Sequence, residues 1–152
     1  MTPNFILKRL VIDRLDWVQK MVVEIQALPL HDPQQFFADN RNIWTAESCL
    51  RRALEALLDV GRHILAKGFA KGVSEYKEIA DELQHAGVLT DHQAGLLRMM
   101  AGYRNRMAHY YHEITSDEIY EIVANHLEDL TIVQQAYLAW LEANPDKLDD
   151  RL

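Results

Sequence analysis

Apolar residues recur at spacings of three and four along most of this chain, and that spacing restricts the fold more than any other feature. The longest such stripe comprises Ile43, Ala46, Leu50, Leu54, Leu57, Gly61 and Ile64. Similar stripes run through residues 7–25, 97–107 and 119–140. The 152 residues include only 6 Gly and 4 Pro, and no run of alternating polar and apolar residues predicts a strand. The pattern therefore predicts an all-α bundle with short connections and antiparallel neighbours.

Helix start and stop residues divide this pattern into about five helices in a single domain covering residues 1–152. The predicted N-terminal caps are Thr2, Asp32, Ser74, Thr90 and Thr115. The last two are each followed three residues later by Gln or Glu, which is the spacing of a capping box. Asn40 predicts an interruption of the second helix, and Gly87 predicts the end of the third. The sequence after Asn144-Pro145 is polar, and we expect this tail to fray.

The cysteine content and the absence of long apolar runs indicate the cellular compartment in which we expect the protein. Cys49 is the only cysteine, so no intramolecular disulfide can form, and its apolar helical neighbourhood predicts a small buried side chain. The sequence shows no basic leader followed by an apolar stretch. It also lacks a window of about 18 apolar residues that would cross a membrane. We expect a cytoplasmic protein with no membrane contact.

The charge is negative overall but unevenly distributed. The formal net charge of −7 argues against broad, sequence-independent coating of nucleic acid, which requires clustered Lys and Arg. Residues 98–112 nevertheless contain three arginines and two histidines with no acid, whereas residues 113–129 contain six acids with no Lys or Arg. A small basic site beside an acidic helix fits a local phosphate contact better than a long nucleic-acid groove.

The run Tyr103-Arg104-Asn105-Arg106-Met107-Ala108-His109-Tyr110-Tyr111 concentrates the polar chemistry of the chain. Arg104 offers a planar positive group for phosphate, His109 a proton carrier near neutral pH, and Tyr111 a phenol that can accept a modification. On an ideal helix five residues rotate a side chain by about 140°, which would direct Arg104 and His109 to different places. They converge only if the helix ends or distorts around residues 107–110, or if two subunits share the site across a twofold axis.

The chemistry that these residues favour is cleavage of a phosphodiester without a metal or another cofactor. A neutral histidine can take a proton from a ribose 2′-hydroxyl or give one to the leaving 5′-oxygen. An arginine can hold the phosphate and offset the charge that develops on its oxygens. Asn105 and Arg106 would supply further phosphate or RNA contacts. DNA lacks the 2′-hydroxyl, so RNA is the expected substrate.

The segment from Leu97 to Ile114 resembles the signature of HEPN-domain toxins of the HepT family: arginine, four residues, histidine, one residue, tyrosine, with a polar residue after the arginine. The resemblance covers roughly residues 43–130. It implies a HEPN-like fold and a homodimeric ribonuclease toxin of a type VII toxin–antitoxin system, with a composite active site. It implies catalytic roles for Arg104 and His109, and phosphate support from Asn105. It also implies that an MntA-type minimal nucleotidyltransferase antitoxin transfers AMP to Tyr111.

Other interpretations stay open at this point. The chain could be a non-catalytic HEPN module that binds a nucleotide or a nucleotidyltransferase partner, or a helical adaptor whose motif closes the bundle. His109, His112 and Glu113 invite a metal interpretation, although paired Glu-x-x-His repeats are missing. Tyr110 competes with Tyr111 as the acceptor of AMP.

Several residues outside the motif also carry predictions. Trp17, Trp44 and Trp140 are expected in the core or in dimer contacts. His126 lies on an apolar stripe and is expected to be a core histidine. The pairs Arg51-Arg52 and Arg62-His63 would border an RNA or partner surface, or simply face solvent.

Overall fold

A computed structural model describes residues 5–109 and 113–149 of the chain, and most of them are helical. The helices within this part are α1 (Lys8–Gln26), α2 (Pro33–Phe37), α3 (Asn40–Phe69), α4 (Tyr76–His85), α5 (Asp91–His109), α6 (Ser116–Asn125) and α7 (Leu127–Ala143). A 3-10 turn at Pro145–Lys147 and the two-residue strands β1 (Ile6–Leu7) and β2 (Leu148–Asp149) complete it. The predicted all-α bundle is confirmed.

The central element is α3, which spans 30 residues. It begins at Asn40 because the Asp39 side chain accepts a hydrogen bond from the Arg41 N–H at 2.9 Å. Its apolar stripe is buried, and the helix contacts α1, α4, α5, α6 and α7. The core therefore surrounds α3, and a side chain at the edge of α3 can meet residues from several other helices.

Gly61 allows α3 to approach α4 and α7 closely. A Cβ at this position would lie 2.8 Å from Ile79 Cγ2 and 2.8 Å from Tyr137 Oη, which is too close for real atoms. The buried Tyr137 hydroxyl donates to the Leu57 carbonyl at 3.0 Å, and its burial raises the pKa of the phenol. The hydrogen bond joins α7 to α3, and the absence of a side chain at Gly61 lets α3 and α4 pack closely beside the residues that form the cleft described below.

The first helix begins at Lys8 rather than near Pro3, which lies outside the described residues together with Thr2. Ile6 and Leu7 are extended and pair in parallel with Leu148 and Asp149. The Leu7 N–H also donates to His63 Nε2 at 3.0 Å, and burial lowers the pKa of this histidine, which favours the neutral ring that the bond requires. The expected fraying of the tail is thus wrong up to Asp149.

Two of the five predicted helices are interrupted, so the described part of the chain has seven. The interruption at Asn40 agrees with the prediction. The break at His126 does not, because this residue leaves helical geometry with φ −126° and ψ 11°. His126 is about half exposed and lies 3.6 Å from Glu121 and 3.8 Å from Asp129, so the prediction of a core histidine is wrong.

The observed helix caps agree in part with those predicted from the sequence. Thr90 and Gln93 form a reciprocal capping box, with bonds of 2.9 and 3.2 Å. Thr115 accepts from the Glu118 N–H at 3.1 Å, whereas the Glu118 carboxylate is bound elsewhere. Ser74 is not a cap. The residue that immediately precedes α4 is Glu75, so the helix begins one residue later than predicted.

The tryptophans differ in burial. Trp140 is half-buried and packs against Phe69, with ring centroids 5.7 Å apart. Trp44 is 65% exposed and Trp17 is 38% exposed, so neither belongs to the core of this chain, and their role in a dimer stays a prediction. Cys49 is only half-buried. None of the described helices is both long and apolar enough to cross a membrane.

Candidate active site

The C-terminal end of α5 brings three of the predicted site residues to one cleft of about 550 Å³. These are Arg104, Asn105 and His109. The opposite wall comes from α3 and from the start of α4, and its residues are Arg62, Ser74, Glu75, Tyr76 and Lys77. Three separate helices therefore contribute side chains to the cleft.

Arg104 and His109 converge within a single chain. Arg104 Nη1 lies 3.4 Å from His109 Nε2, and the same nitrogen donates to Asn105 Oδ1 at 3.5 Å. The helix α5 continues through His109, so the expected divergence on an unbroken helix is wrong. The length of the arginine side chain makes up the angular difference, as the 3.4 Å distance shows. A phosphate oxygen entering here can meet the guanidinium while a neighbouring oxygen meets the imidazole.

A ring and a long ion pair hold the Arg104 side chain. Its guanidinium carbon lies 4.6 Å from the centre of the Tyr76 ring, and its Nε lies 3.5 Å from Glu55 Oε1. Only 21% of the side chain is exposed. The position of Arg104 is thus fixed mainly by stacking, which leaves guanidinium N–H groups for a ligand.

The Tyr76 ring also contacts a second arginine. The guanidinium carbon of Arg62 lies 4.7 Å from the same ring centre. The Tyr76 hydroxyl donates to Asp59 Oδ1 at 2.8 Å. Burial raises the pKa of this phenol, and the bond to Asp59 raises it further, so Tyr76 stays a neutral hydrogen-bond donor at physiological pH.

The sequence predicts for Arg62 a surface that borders RNA or a partner or faces solvent, and it predicts no role for Tyr76 in the site. No local spacing links residues so far from Arg104 along the chain. Their proximity follows from the packing of α3 and α4 against α5.

Arg106 is held away from this group. Its guanidinium donates to both Glu118 oxygens at 2.7 and 2.6 Å and to the Glu113 carbonyl at 3.0 Å. It does not line the cleft. The predicted phosphate contact of Arg106 receives no support from this geometry, because its donors already bind the first turn of α6. The hydrogen bond from Arg106 lowers the pKa of Glu118.

Tyr111, with Tyr110 and His112, lies outside the described residues. The predicted AMP acceptor therefore stays a prediction, and so does the competition from Tyr110. The metal interpretation rests partly on His112 as well. Within the described ranges, no group of three or more His, Cys, Asp or Glu side chains is arranged to hold a metal ion.

Comparison with solved structures defines the fold as that of HEPN toxins. The chain is similar to a tri-AMPylated HEPN toxin from Shewanella oneidensis in complex with an MNT antitoxin. The TM-score is 0.77 and the identity 24%, over 86% of this chain and 97% of that chain. It is also similar to a toxin–antitoxin structure with AMP-PNP, with TM-score 0.75 and 23% identity over 84% of this chain and 97% of that one.

A further similar structure is YutE from Bacillus subtilis, described as a cytosolic protein of unknown function. The TM-score is 0.77 and the identity 17%, over 95% of this chain and 98% of that chain. No curated protein matches the chain significantly. The family model for ribonuclease HepT-like proteins matches residues 18–136, which is most of the sequence. The protein belongs to the HepT-like ribonuclease family.

Proposed function

We propose that this protein is a metal-independent endoribonuclease and the toxin component of a toxin–antitoxin system. The observation that carries the proposal is the 3.4 Å distance between Arg104 Nη1 and His109 Nε2 at a shared cleft. The cleft volume of about 550 Å³ lies within the range of small-molecule sites, so a nucleotide fits there. The family assignment supports the same reaction class.

Cleavage would proceed by attack of the ribose 2′-oxygen on the adjacent phosphorus. His109 takes the 2′-hydroxyl proton as the new O–P bond forms, and the bond to the 5′-oxygen breaks. The leaving 5′-oxygen takes up a proton, which yields a 2′,3′-cyclic phosphate and a 5′-hydroxyl. Arg104 binds the non-bridging oxygens, where negative charge increases, and the Asn105 amide offers a further donor.

The reaction needs one group that accepts a proton and another that donates one. A second copy of the chain, paired about a twofold axis, would supply a second His109 for the other role. We therefore propose a homodimer with a composite active site. Arg104 and His109 already converge within one chain, so in this arrangement the second copy adds the complementary proton carrier rather than the phosphate-binding arginine.

We further propose that an MntA-type nucleotidyltransferase antitoxin silences the enzyme by transferring AMP to Tyr111. Tyr111 follows His109 by two residues, and two residues of chain span at most about 7 Å. A nucleotide with a negative phosphate attached so near would repel RNA phosphates and occupy the cleft. The similar toxin from Shewanella oneidensis is described as tri-AMPylated and bound to its MNT antitoxin, which supports this regulation.

The cleavage proposal is tested with purified, unmodified protein and RNA in the presence of EDTA. Arg104→Ala and His109→Ala should each reduce the cleavage rate by about 10²- to 10⁴-fold without loss of folding. Arg98→Ala is the matched control, because Arg98 lies on the same helix but pairs with Asp81 at 2.6 Å outside the cleft. Parent-like cleavage by both cleft variants would refute the assignment. Intact RNA that is nevertheless bound would favour a non-catalytic nucleotide-binding module.

The modification proposal is tested by intact mass after incubation with ATP and the nucleotidyltransferase. The parent protein should gain one or more AMP units and lose cleavage activity, and Tyr111→Phe should gain none. Tyr110→Phe is the control and should be modified like the parent. Modification of Tyr111→Phe at the level of the parent would assign the acceptor to another residue.

A further inference from the structure

The Tyr76 ring contacts two arginines from different helices. Arg62 comes from α3 and Arg104 from α5, and their guanidinium carbons lie 4.7 and 4.6 Å from the centre of one ring. The ring itself is held by its 2.8 Å hydrogen bond to Asp59. Both arginines line the same cleft, so an anionic ligand bound there is attracted by both positive charges.

Neither arginine has its donors well used. Arg62 Nη2 donates to the Ser74 carbonyl at 3.3 Å, and Nη1 lies 3.6 Å from Asp59. The Nε groups of Arg62 and Arg104 are buried and have no hydrogen-bond acceptor within the part of the chain that the structure describes. Charge-assisted bonds from a guanidinium are ordinarily about 2.7–2.9 Å long. The Nη groups of both arginines, whose contacts are longer than this, therefore have the capacity to bind a further anion.

The cleft is larger and more positive than one phosphate requires. Lys77 lines it together with Arg62 and Arg104, and its acidic lining residue is Glu75. The first turn of α4 borders it and adds the positive end of a helix dipole. In the proposed reaction Arg104 and His109 act on one phosphate, which fills only part of the cleft of about 550 Å³. This leaves Arg62 and Lys77 for a second one.

We propose that Arg62, which contacts the Tyr76 ring as Arg104 does and lines the same cleft, forms a second phosphate subsite that binds the RNA phosphate adjacent to the one that is cleaved. Arg62 contacts the ligand, and Tyr76 is a positioning residue that acts through the two guanidinium groups. The identity of the ligand as RNA rests on the proposed ribonuclease function. The anion site itself rests on the cleft and its under-used donors.

The decisive experiment measures binding rather than cleavage. The ligands are a 2′-O-methyl dinucleotide with one phosphodiester and the same dinucleotide extended by an abasic sugar through a second phosphodiester. The protein carries Tyr111→Phe, so that no AMP adduct competes. The second phosphodiester should raise affinity by about tenfold and steepen the dependence of log K on log salt by about 0.7, the value for one phosphate contact on a single strand.

Arg62→Gln should abolish most of that gain, lowering affinity for the longer ligand about tenfold more than for the shorter one. Arg98→Gln is the control and should keep the gain. Tyr76→Leu, which removes the ring, should lose the gain, whereas Tyr76→Phe should keep most of it. Circular dichroism and thermal unfolding establish that each variant is folded. Equal affinity of the parent for both ligands, or an equal loss for both in Arg62→Gln, would overturn the subsite.

A cleavage assay separates this proposal from the ribonuclease function. With RNA that carries both phosphates, Arg62→Gln should raise KM severalfold more than it lowers kcat. If no variant or parent cleaves RNA, the ribonuclease proposal fails while the binding result still decides the subsite. Another outcome is that the second phosphodiester adds no affinity, but Arg62→Gln in the protein that retains Tyr111 blocks AMP transfer. The site would then bind the AMP adduct, and the RNA subsite would be refuted.

Discussion

Two arginines separated by a single residue at the end of α5 are held in opposite ways. Arg106 donates three hydrogen bonds of 2.6–3.0 Å to α6 and the segment before it. Arg104 has contacts of 3.4 and 3.5 Å and lies over an aromatic ring. Two residues on a helix differ by about 200°, so the two side chains leave α5 on opposite faces. One face fastens the bundle, and the other forms the cleft.

Arg104 and Arg106 are the same type of residue, and what distinguishes them is how many of their guanidinium donors are already used within the protein. Glu118 stands in the first turn of α6, where an acid is favoured by the helix dipole, and it accepts two short hydrogen bonds from Arg106. The neighbours of Arg104 are a ring and the more distant Glu55 carboxylate, which satisfy its charge only in part. An anion can therefore gain bonds from Arg104 but would have to displace Glu118 to gain them from Arg106.

The largest expected effect comes from replacing each arginine by lysine and measuring RNA cleavage. Lysine keeps the charge but loses the planar fork and the stacking on Tyr76. Arg104→Lys should lower the cleavage rate by about 10²-fold, whereas Arg106→Lys should stay within about threefold of the parent. A similar loss of cleavage in both variants would mean that α5 does not have one face that binds RNA and another that only stabilises the bundle.

An intermediate effect is expected on stability, measured by urea unfolding of the two methionine variants. Methionine keeps an unbranched apolar stem and removes the guanidinium. Arg106→Met should lower the free energy of unfolding by about 1 kcal/mol, since it breaks a bidentate pair that is only one-third exposed. Arg104→Met should change it by less than about 0.5 kcal/mol. The reverse order of the two losses would contradict the comparison.

The smallest effect is a pH dependence that belongs to the structural face. Arg106 lowers the pKa of Glu118 below the 4.5 of a free side chain. This stabilisation is present above about pH 4.5 and is lost as the pH falls through the lowered pKa, because the folded protein must then take up the proton. Between pH 6 and pH 3 the parent should therefore lose at most about 0.5 kcal/mol more stability than Glu118→Gln.

That pH experiment includes a control on the cleft face. Glu55→Gln, which alters the longer ion pair of Arg104, should lose stability with pH like the parent. An acid dependence in Glu118→Gln that equals that of the parent would show that the Arg106 pair contributes nothing measurable.

The helices were predictable because their causes are local. Spacing of apolar residues follows from the helical repeat, and the caps at Asp32 and Thr90 act on amides within three residues. The break at His126 was not predictable from the apolar stripe, which continues on both sides of it. The sequence left open whether Trp44 lies in the core or in a dimer contact, since amphipathic spacing does not say which neighbour covers a face, and its exposure excludes only the core.

The residues of the site also fall into those that the local sequence predicts and those that depend on packing. Arg104, Asn105 and His109 lie within six residues, so one motif identified them together. The convergence of Arg104 and His109 was not expected on a regular helix and depends on the reach of the arginine side chain. Arg62 and Tyr76 reach the cleft only because Gly61 lets α3 and α4 approach closely.

Periodicity, capping and residue type act over a few residues, so the all-α fold and the chemical groups of the motif are predictable from the sequence. Which arginine binds the bundle and which faces the cleft depends on how the helices pack. The same packing brings a second arginine, Arg62, to the cleft. The physical reason is that hydrogen-bond saturation and stacking depend on residues brought together from distant helices, whose distances are set by packing around α3.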